Sequence, residues 1–159
     1  IPAVMYYLVA YLFMNLGVVG YALLLEKNTG SDDIKGFAGL AKGSLGDALV
    51  LVVLLMALTG LPPTAGFLGK FYLFGAAVRT GTWWWLGLVG IINSAISVYY
   101  YMNIARLMFF TSERAELPQR PSGVVFVIWL CLIVTLGLCF LPAPLLSYAQ
   151  QAGSFLGGY

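Results

Sequence analysis

Charge and histidine are scarce in this sequence. It has no histidine, and only 9% of its residues are charged while 61% are hydrophobic. A soluble globular domain carries about 25% charged residues, and a mean hydropathy of +0.92 leaves too little polar surface for a water-exposed fold. The composition excludes a histidine-based catalytic triad or metal site and indicates an integral membrane protein. The formal net charge of +2 gives no reason to expect nucleic-acid binding.

Cysteine is scarce too, and no targeting signal is visible. Cys131 and Cys139 lie in one apolar run, where helical rise separates them by about 12 Å, beyond the roughly 7 Å limit for a disulfide. We interpret both as apolar filler and expect no metal or cofactor site in this chain. The sequence begins at Ile1 and lacks the basic region and cleavage site of a signal peptide. We interpret it as the end of a longer polypeptide.

Long apolar runs dominate the chain, and a spanning helix needs about 20 mostly apolar residues. They predict an all-α integral membrane fold with about four transmembrane helices in one domain, 1–159. Ile34, Phe37 and Leu40 share one side of a short amphipathic piece that suits the membrane interface. The predicted elements are a helix at 3–25, an interfacial segment at 31–46, a broken helix at 47–60 and 65–79, a helix at 83–105, a helix at 123–141 and a tail at 142–159.

The second apolar segment carries an internal break. As one straight helix, 47–79 would be about 50 Å long, against a hydrocarbon core of about 30 Å. Two adjacent prolines remove backbone donors and clash with the preceding turn. The segment therefore predicts two half-helices joined by unwound backbone. The residues assigned to this break are Gly60, Pro62, Pro63, Thr64 and Gly66.

Positive charges indicate the orientation. If the broken segment crosses the membrane once, the two loops on one side carry six of the eight Lys and Arg residues: Lys27, Lys35, Lys42, Arg106, Arg114 and Arg120. The opposite side has only Arg79. Lys and Arg accumulate in cytoplasmic loops, so both termini should face away from the cytoplasm or its organellar equivalent.

Lys70 is the candidate functional residue. It follows the double-proline break in an apolar half-helix, and a charge at the bilayer centre costs on the order of a few kcal/mol. Desolvation and the positive end of the second half-helix both disfavour charged lysine, which suits a proton relay. Its helical neighbours Gly66, Phe67, Leu73 and Phe74 cannot accept a proton. We therefore expect its partners on other helices.

Two polar stripes are candidates for lining a water path to Lys70. One lies on the third predicted helix, at Asn93, Ser97 and Tyr100, with Ser94 and Tyr101 flanking it. The other lies on the first helix, at Tyr7, Tyr11 and Asn15. Interhelical hydrogen bonding is the alternative interpretation of both stripes, and the sequence leaves the two interpretations open.

The run Leu58-Thr59-Gly60-Leu61-Pro62-Pro63-Thr64-Ala65-Gly66-Phe67-Leu68-Gly69-Lys70-Phe71-Tyr72 closely resembles a motif of the antiporter-like subunits of respiratory complex I. Gly69-Lys70-Phe71-Tyr72 resembles the N-type branch, called subunit 2 in mitochondria, rather than the M-type branch. Further segments similar to that branch are Met14-Asn15-Leu16-Gly17, Asp32-Asp33-Ile34 and the region from Leu136 to Leu145.

The resemblance implies a fold of two inverted repeats, each with one discontinuous helix, of which this chain would be the C-terminal part. It implies that Lys70 is a proton-channel residue of NADH:quinone oxidoreductase. NADH, FMN, iron–sulfur clusters and quinone would belong to partner subunits. Other membrane-arm subunits would also be partners of this chain. The expected location is an energy-transducing membrane, either the bacterial inner membrane or the mitochondrial inner membrane.

Two other functions compete with this one. A subunit of a multisubunit cation/proton antiporter would share the fold without redox chemistry. A purely structural membrane subunit would need neither Lys70 nor the double-proline break. The Gly69-Lys70-Phe71-Tyr72 run favours the oxidoreductase.

Overall fold

The helical character of the chain is confirmed by a computed structural model. It describes residues 2–29, 33–79, 81–111 and 121–156, and within these ranges no strand is present. The elements in order are α1 (Pro2–Thr29), a 3₁₀ turn (Ile34–Phe37), α2 (Leu40–Gly43), α3 (Leu45–Thr59), α4 (Ala65–Arg79), α5 (Trp84–Phe110), α6 (Ser122–Phe140) and α7 (Pro142–Leu156). Residues 31–32 of the predicted interfacial segment and 157–159 of the predicted tail lie outside the described residues, as do Arg114 and Arg120 of the charge count.

Three helices of the described chain, α1, α5 and α6, are long and apolar enough to cross a membrane. Helices α3 and α4 have 15 residues each, about 22 Å, so each falls short of a hydrocarbon core of about 30 Å. Helix α5 begins against the end of α4, where Gly87 lies near Val78. Near its own end, the Leu107 carbonyl accepts a hydrogen bond from the Gly39 N–H, which precedes α3 in the chain. Helix α5 therefore runs back from the end of α4 toward the start of α3. This arrangement favours a single crossing made by α3 and α4 together.

The hydrophobic core lies where α1, α3, α5 and α6 meet. Its fully buried side chains include Leu51, Leu54 and Met108. Helices α1 and α6 run antiparallel, because the Tyr6 hydroxyl near the start of α1 donates to the Leu138 carbonyl at the end of α6. Gly17 on α1 allows both neighbouring helices to approach closely, because a Cβ there would lie 3.1 Å from Cys131 Cβ on α6 and 2.7 Å from Leu54 Cδ1 on α3.

The structure corrects three predicted elements. The interfacial segment predicted at 31–46 is not one amphipathic helix, because Gly39 has a φ of 68° and separates the 3₁₀ turn from α2. The helix predicted to end at 105 continues to Phe110, since Met108 is fully buried in the core. The described part of the predicted tail, Pro142–Leu156, forms α7, and Pro142 is compatible with the first helical position because a missing N–H costs nothing there.

Candidate functional site

The first half-helix, α3, ends in a backbone turn made by glycine. Gly60 has a φ of 84°, a left-handed conformation that glycine adopts without strain. Its N–H donates to the Ala57 carbonyl at 3.1 Å, and the Leu61 N–H donates to the Met56 carbonyl at 3.0 Å. This pair of bonds is a Schellman motif. It leaves the last two carbonyls of α3, those of Leu58 and Thr59, in need of donors.

Lys70 supplies those donors. Its Nζ donates to the Leu58 carbonyl at 2.9 Å and to the Thr59 carbonyl at 2.9 Å. Helical side chains lean toward the N-terminus of their own helix, so the lysine on α4 reaches back across the break to the end of α3. The expectation that its partners lie on other membrane helices is therefore corrected in part: these two are backbone carbonyls of the same broken segment.

This position also changes the electrostatic argument for Lys70. The sequence suggested that the positive end of α4 faces the amine. In the structure the Nζ lies instead at the carbonyl end of α3, where the helix dipole is negative and favours a cation. The two half-helix dipoles therefore act on Lys70 in opposite directions.

The second half-helix, α4, begins with a threonine cap and a tightly packed glycine. Thr64 Oγ1 accepts a hydrogen bond from the Phe67 N–H at 3.4 Å and donates to the Leu61 carbonyl at 2.7 Å. A Cβ at Gly66 would collide with the Ala57 carbonyl oxygen and lie 3.2 Å from Met14 Sδ. Between the two half-helices, Pro62 and Pro63 are exposed and joined by a cis peptide bond.

A polar cavity of about 230 Å³ opens beside Lys70, between α1, α4 and α5. Such a volume accommodates several waters. Lys70, Tyr11, Asn93, Ser97 and Tyr100, all assigned from sequence, line it together. The remaining lining residues are Tyr7, Leu58, Leu73, Phe74, Gly90, Ser94 and Tyr101.

Hydrogen bonds order the α5 side of this polar cavity. The Tyr100 hydroxyl donates to Ser97 Oγ at 2.9 Å, and Ser97 Oγ donates to the Asn93 carbonyl at 2.9 Å. On the α1 side, the rings of Tyr7 and Tyr11 stack with their centroids 5.6 Å apart. The cavity wall thus carries hydroxyl groups from two helices other than that of Lys70.

Asn15 is placed differently from the other predicted residues. Its side-chain amide donates to the Tyr11 carbonyl of its own helix at 2.8 Å, and it is not among the residues that line the polar cavity. Sequence reasoning also missed Leu58, Leu73, Phe74 and Gly90 as lining residues. Only the contact between α4 and α5 brings Gly90 to the site, so the sequence carried no signal for it.

An apolar groove of about 420 Å³ lies on the other side of Lys70. Its walls are mostly aromatic and aliphatic, contributed by Thr59, Gly60, Phe67, Lys70, Phe71, Phe74, Gly75, Val78, Ile91 and Ser94. Within the described residues, no group of three or more Cys, Asp or Glu side chains is arranged to hold a metal ion. The side chains that line the polar cavity offer an amine, hydroxyl groups and an amide.

Comparison with known proteins shows a consistent likeness. Residues 1–97 match the model of a family described as NADH:quinone oxidoreductase/Mrp antiporter, TM. The chain is 40% identical over 158 residues to NADH-quinone oxidoreductase subunit N of Desulfitobacterium hafniense, covering 98% of this chain and 32% of that protein. It is 38% identical over 156 residues to subunit N of Moorella thermoacetica, covering 96% of this chain and 32% of that protein.

A solved structure is similar as well. The match is to a chain of respiratory complex I from Thermus thermophilus with bound aureothin, with a TM-score of 0.64 and 27% sequence identity. It covers 89% of this chain and 36% of that one. The chain thus spans about a third of the length of the curated relatives that it matches.

Proposed function

Because the chain belongs to the NADH:quinone oxidoreductase/Mrp antiporter family of transmembrane proteins, we propose that it is the C-terminal part of an N-type subunit that translocates protons in an NADH:quinone oxidoreductase. Its partners are other membrane-arm subunits in the bacterial inner membrane. NADH, FMN, iron–sulfur clusters and quinone belong to partner subunits of the same complex. The position of Lys70 at a helix break and beside a polar cavity is the observation that carries the proposal.

Lys70 acts in this proposal as a proton relay. An ammonium group has three N–H donors, and two of those on Lys70 satisfy the carbonyls of Leu58 and Thr59. The third is left for water in the polar cavity, which Lys70 lines. When that N–H gives its proton to water, the nitrogen keeps the electron pair and the two carbonyl bonds stay intact. The exchange therefore proceeds without uncapping α3.

The hydroxyl groups of the polar cavity extend the relay. Tyr100 and Ser97 form a short donor–acceptor chain along α5, and Tyr11 faces the same cavity from α1. Hydroxyl groups both donate and accept hydrogen bonds, so they order waters that carry a proton toward or away from Lys70. The hydrogen bonds of Tyr100 and Ser97 stay within α5, so these contacts support the water-path interpretation more than interhelical hydrogen bonding.

The relay is tested by comparing wild type, Lys70→Ala and Lys70→Arg, each in the full-length subunit of the assembled complex in vesicles. We expect Lys70→Ala to lower the rate of proton translocation during NADH oxidation by on the order of 10²-fold, the lower end of what a positioned proton-transfer group contributes. Arginine still offers donors to the two carbonyls but does not deprotonate in practice, so Lys70→Arg should not restore translocation. Lys35→Ala, at an exposed lysine, is the control. If arginine pumps as well as lysine, Lys70 is a fixed charge and the relay is wrong.

A second function has a specific observation in its favour. The description of the matched family names Mrp antiporters together with the oxidoreductase, so the same fold serves cation/proton exchange without redox chemistry. Genes for redox subunits beside the gene for this chain would support the oxidoreductase. Genes for antiporter subunits alone would support exchange. A purely structural role leaves the position of Lys70 beside the polar cavity without an explanation.

A further inference from the structure

Phe74 lies next to the proposed relay in a position that the relay itself does not explain. It follows Lys70 by four residues on α4, so the two side chains share one helix face. Three residues line both the polar cavity and the apolar groove: Lys70, Phe74 and Ser94. These residues border both spaces, and Phe74 is the apolar one among them.

Gly90 on α5 provides the seat for the Phe74 ring. A Cβ at Gly90 would collide with Cε1 of that ring and lie 2.7 Å from Cζ. Three residues earlier on the same helix, a Cβ at Gly87 would lie 3.4 Å from Val78 Cγ2 and 4.0 Å from Phe74 Cβ. The second arrangement is ordinary van der Waals contact, so the close approach is specific to the ring and Gly90.

We propose that the Phe74 ring, seated on Gly90, is a partition that keeps water of the polar cavity out of the apolar groove. Lys70 then exchanges its proton from the polar cavity side alone while the ring is in place. The inference rests on the proposed role of Lys70. Its physical basis is that protons move along hydrogen-bonded water, and an apolar constriction interrupts water by dewetting.

The test compares variants in the full-length subunit, assembled and placed in vesicles. The measurement is passive proton leak under an imposed gradient without NADH, followed by proton translocation during turnover. Phe74→Ala should raise the leak several-fold, because the two spaces join. Phe74→Leu retains apolar bulk and should leak much less. A leak in Phe74→Ala equal to that of wild type overturns the partition.

Gly90→Ala and Gly87→Ala form the matched pair. The first displaces the ring and should also leak, while the second fits without displacement and should behave as wild type. Combining Gly90→Ala with Phe74→Ala should leak no more than Phe74→Ala alone, since the ring is already gone. Equal leaks from Gly90→Ala and Gly87→Ala contradict the proposed seat.

Failure of the partition is distinct from failure of the relay. If Lys70→Ala stops translocation while Phe74→Ala does not leak, the partition is wrong and the relay stands. If Phe74→Ala leaks while Lys70→Ala pumps normally, the relay is wrong and the ring remains a water barrier in its own right.

Discussion

At the scale of a single residue, Lys70 has a structural role beside the relay proposed for it. Its ammonium satisfies two carbonyls at the end of α3, and a buried acceptor left without a donor costs about 1–3 kcal/mol. An alanine variant therefore loses the cap together with the exchangeable proton. Arginine separates the two losses, because its guanidinium still offers N–H groups while holding its proton.

Gly66 is packed so closely against α3 that an added Cβ has no room. We expect Gly66→Ala to destabilise the subunit by about 1–3 kcal/mol or more, because the added Cβ meets the Ala57 carbonyl oxygen, which is backbone and cannot rotate away. The measurement is the thermal midpoint of the purified complex and its assembled yield.

Gly75 on the same helix is the matched control for that variant. Nothing lies within 4 Å of a Cβ at Gly75, so Gly75→Ala should leave the thermal midpoint unchanged or raise it slightly, since alanine favours helix. Equal midpoints for the two variants would show that α3 and α4 can move apart at Gly66 without cost.

At the scale of elements, the break between α3 and α4 depends on three separate local features. Gly60 ends α3 with a positive φ, the two prolines prevent helical hydrogen bonding through the gap, and Thr64 caps α4. Because Lys70 reaches across this gap to α3, the geometry of the break sets where its amine lies.

Replacing Pro62 and Pro63 together with alanine tests that dependence. The substitution restores two backbone N–H groups, so we expect the gap to become helical and to move Lys70 from its carbonyl partners. Proton translocation should fall while the assembled complex stays largely intact. The measurement is translocation per NADH in vesicles, with Pro144→Ala in the first turn of α7 as the control. Normal translocation would show that the prolines serve packing alone.

At the scale of the whole molecule, the positive charges collect at one end of the bundle. Lys27 lies in the last turn of α1, and Lys35 and Lys42 lie in the 3₁₀ turn and α2. The 3₁₀ turn and α2 pack against α5 near Arg106, where Gly39 donates to the Leu107 carbonyl. Arg79 ends α4 at the opposite end. This distribution is the one that the positive-inside rule associates with a cytoplasmic face.

Single cysteines at positions 35 and 79 test this topology in a variant without Cys131 and Cys139. A membrane-impermeant thiol reagent added from the periplasmic side should label position 79 and leave position 35 unlabelled, because the charge distribution predicts that Lys35 lies on the cytoplasmic side. Lys35 is well exposed, with 86% of its side-chain surface accessible, so failure to react would reflect the side of the membrane. Efficient labelling of position 35 from the periplasm contradicts the orientation.

Features encoded locally could be predicted from the sequence. Composition indicated a membrane protein, because so few charged residues cannot cover a soluble fold, and the long apolar runs predicted that its spans are helices. The Gly60 to Gly66 run predicted the break, since proline and glycine act on their own backbone wherever they stand. Lys70 was identified because one charge in an apolar half-helix needs an explanation in any packing.

Features decided by tertiary structure depend on where separate helices meet. The donors that cap α3 come from Lys70, which follows Leu58 by 12 residues and Thr59 by 11 in the sequence. No periodicity in the sequence indicates that pairing. Asn15 shares a stripe with Tyr11 in sequence, but its amide donates to the carbonyl of its own helix. Phe74 and Gly90 became neighbours only when α4 packed on α5. Side-chain contacts between helices follow from close packing of the whole interior, so the sequence supplied the residues and the fold decided which of them face Lys70.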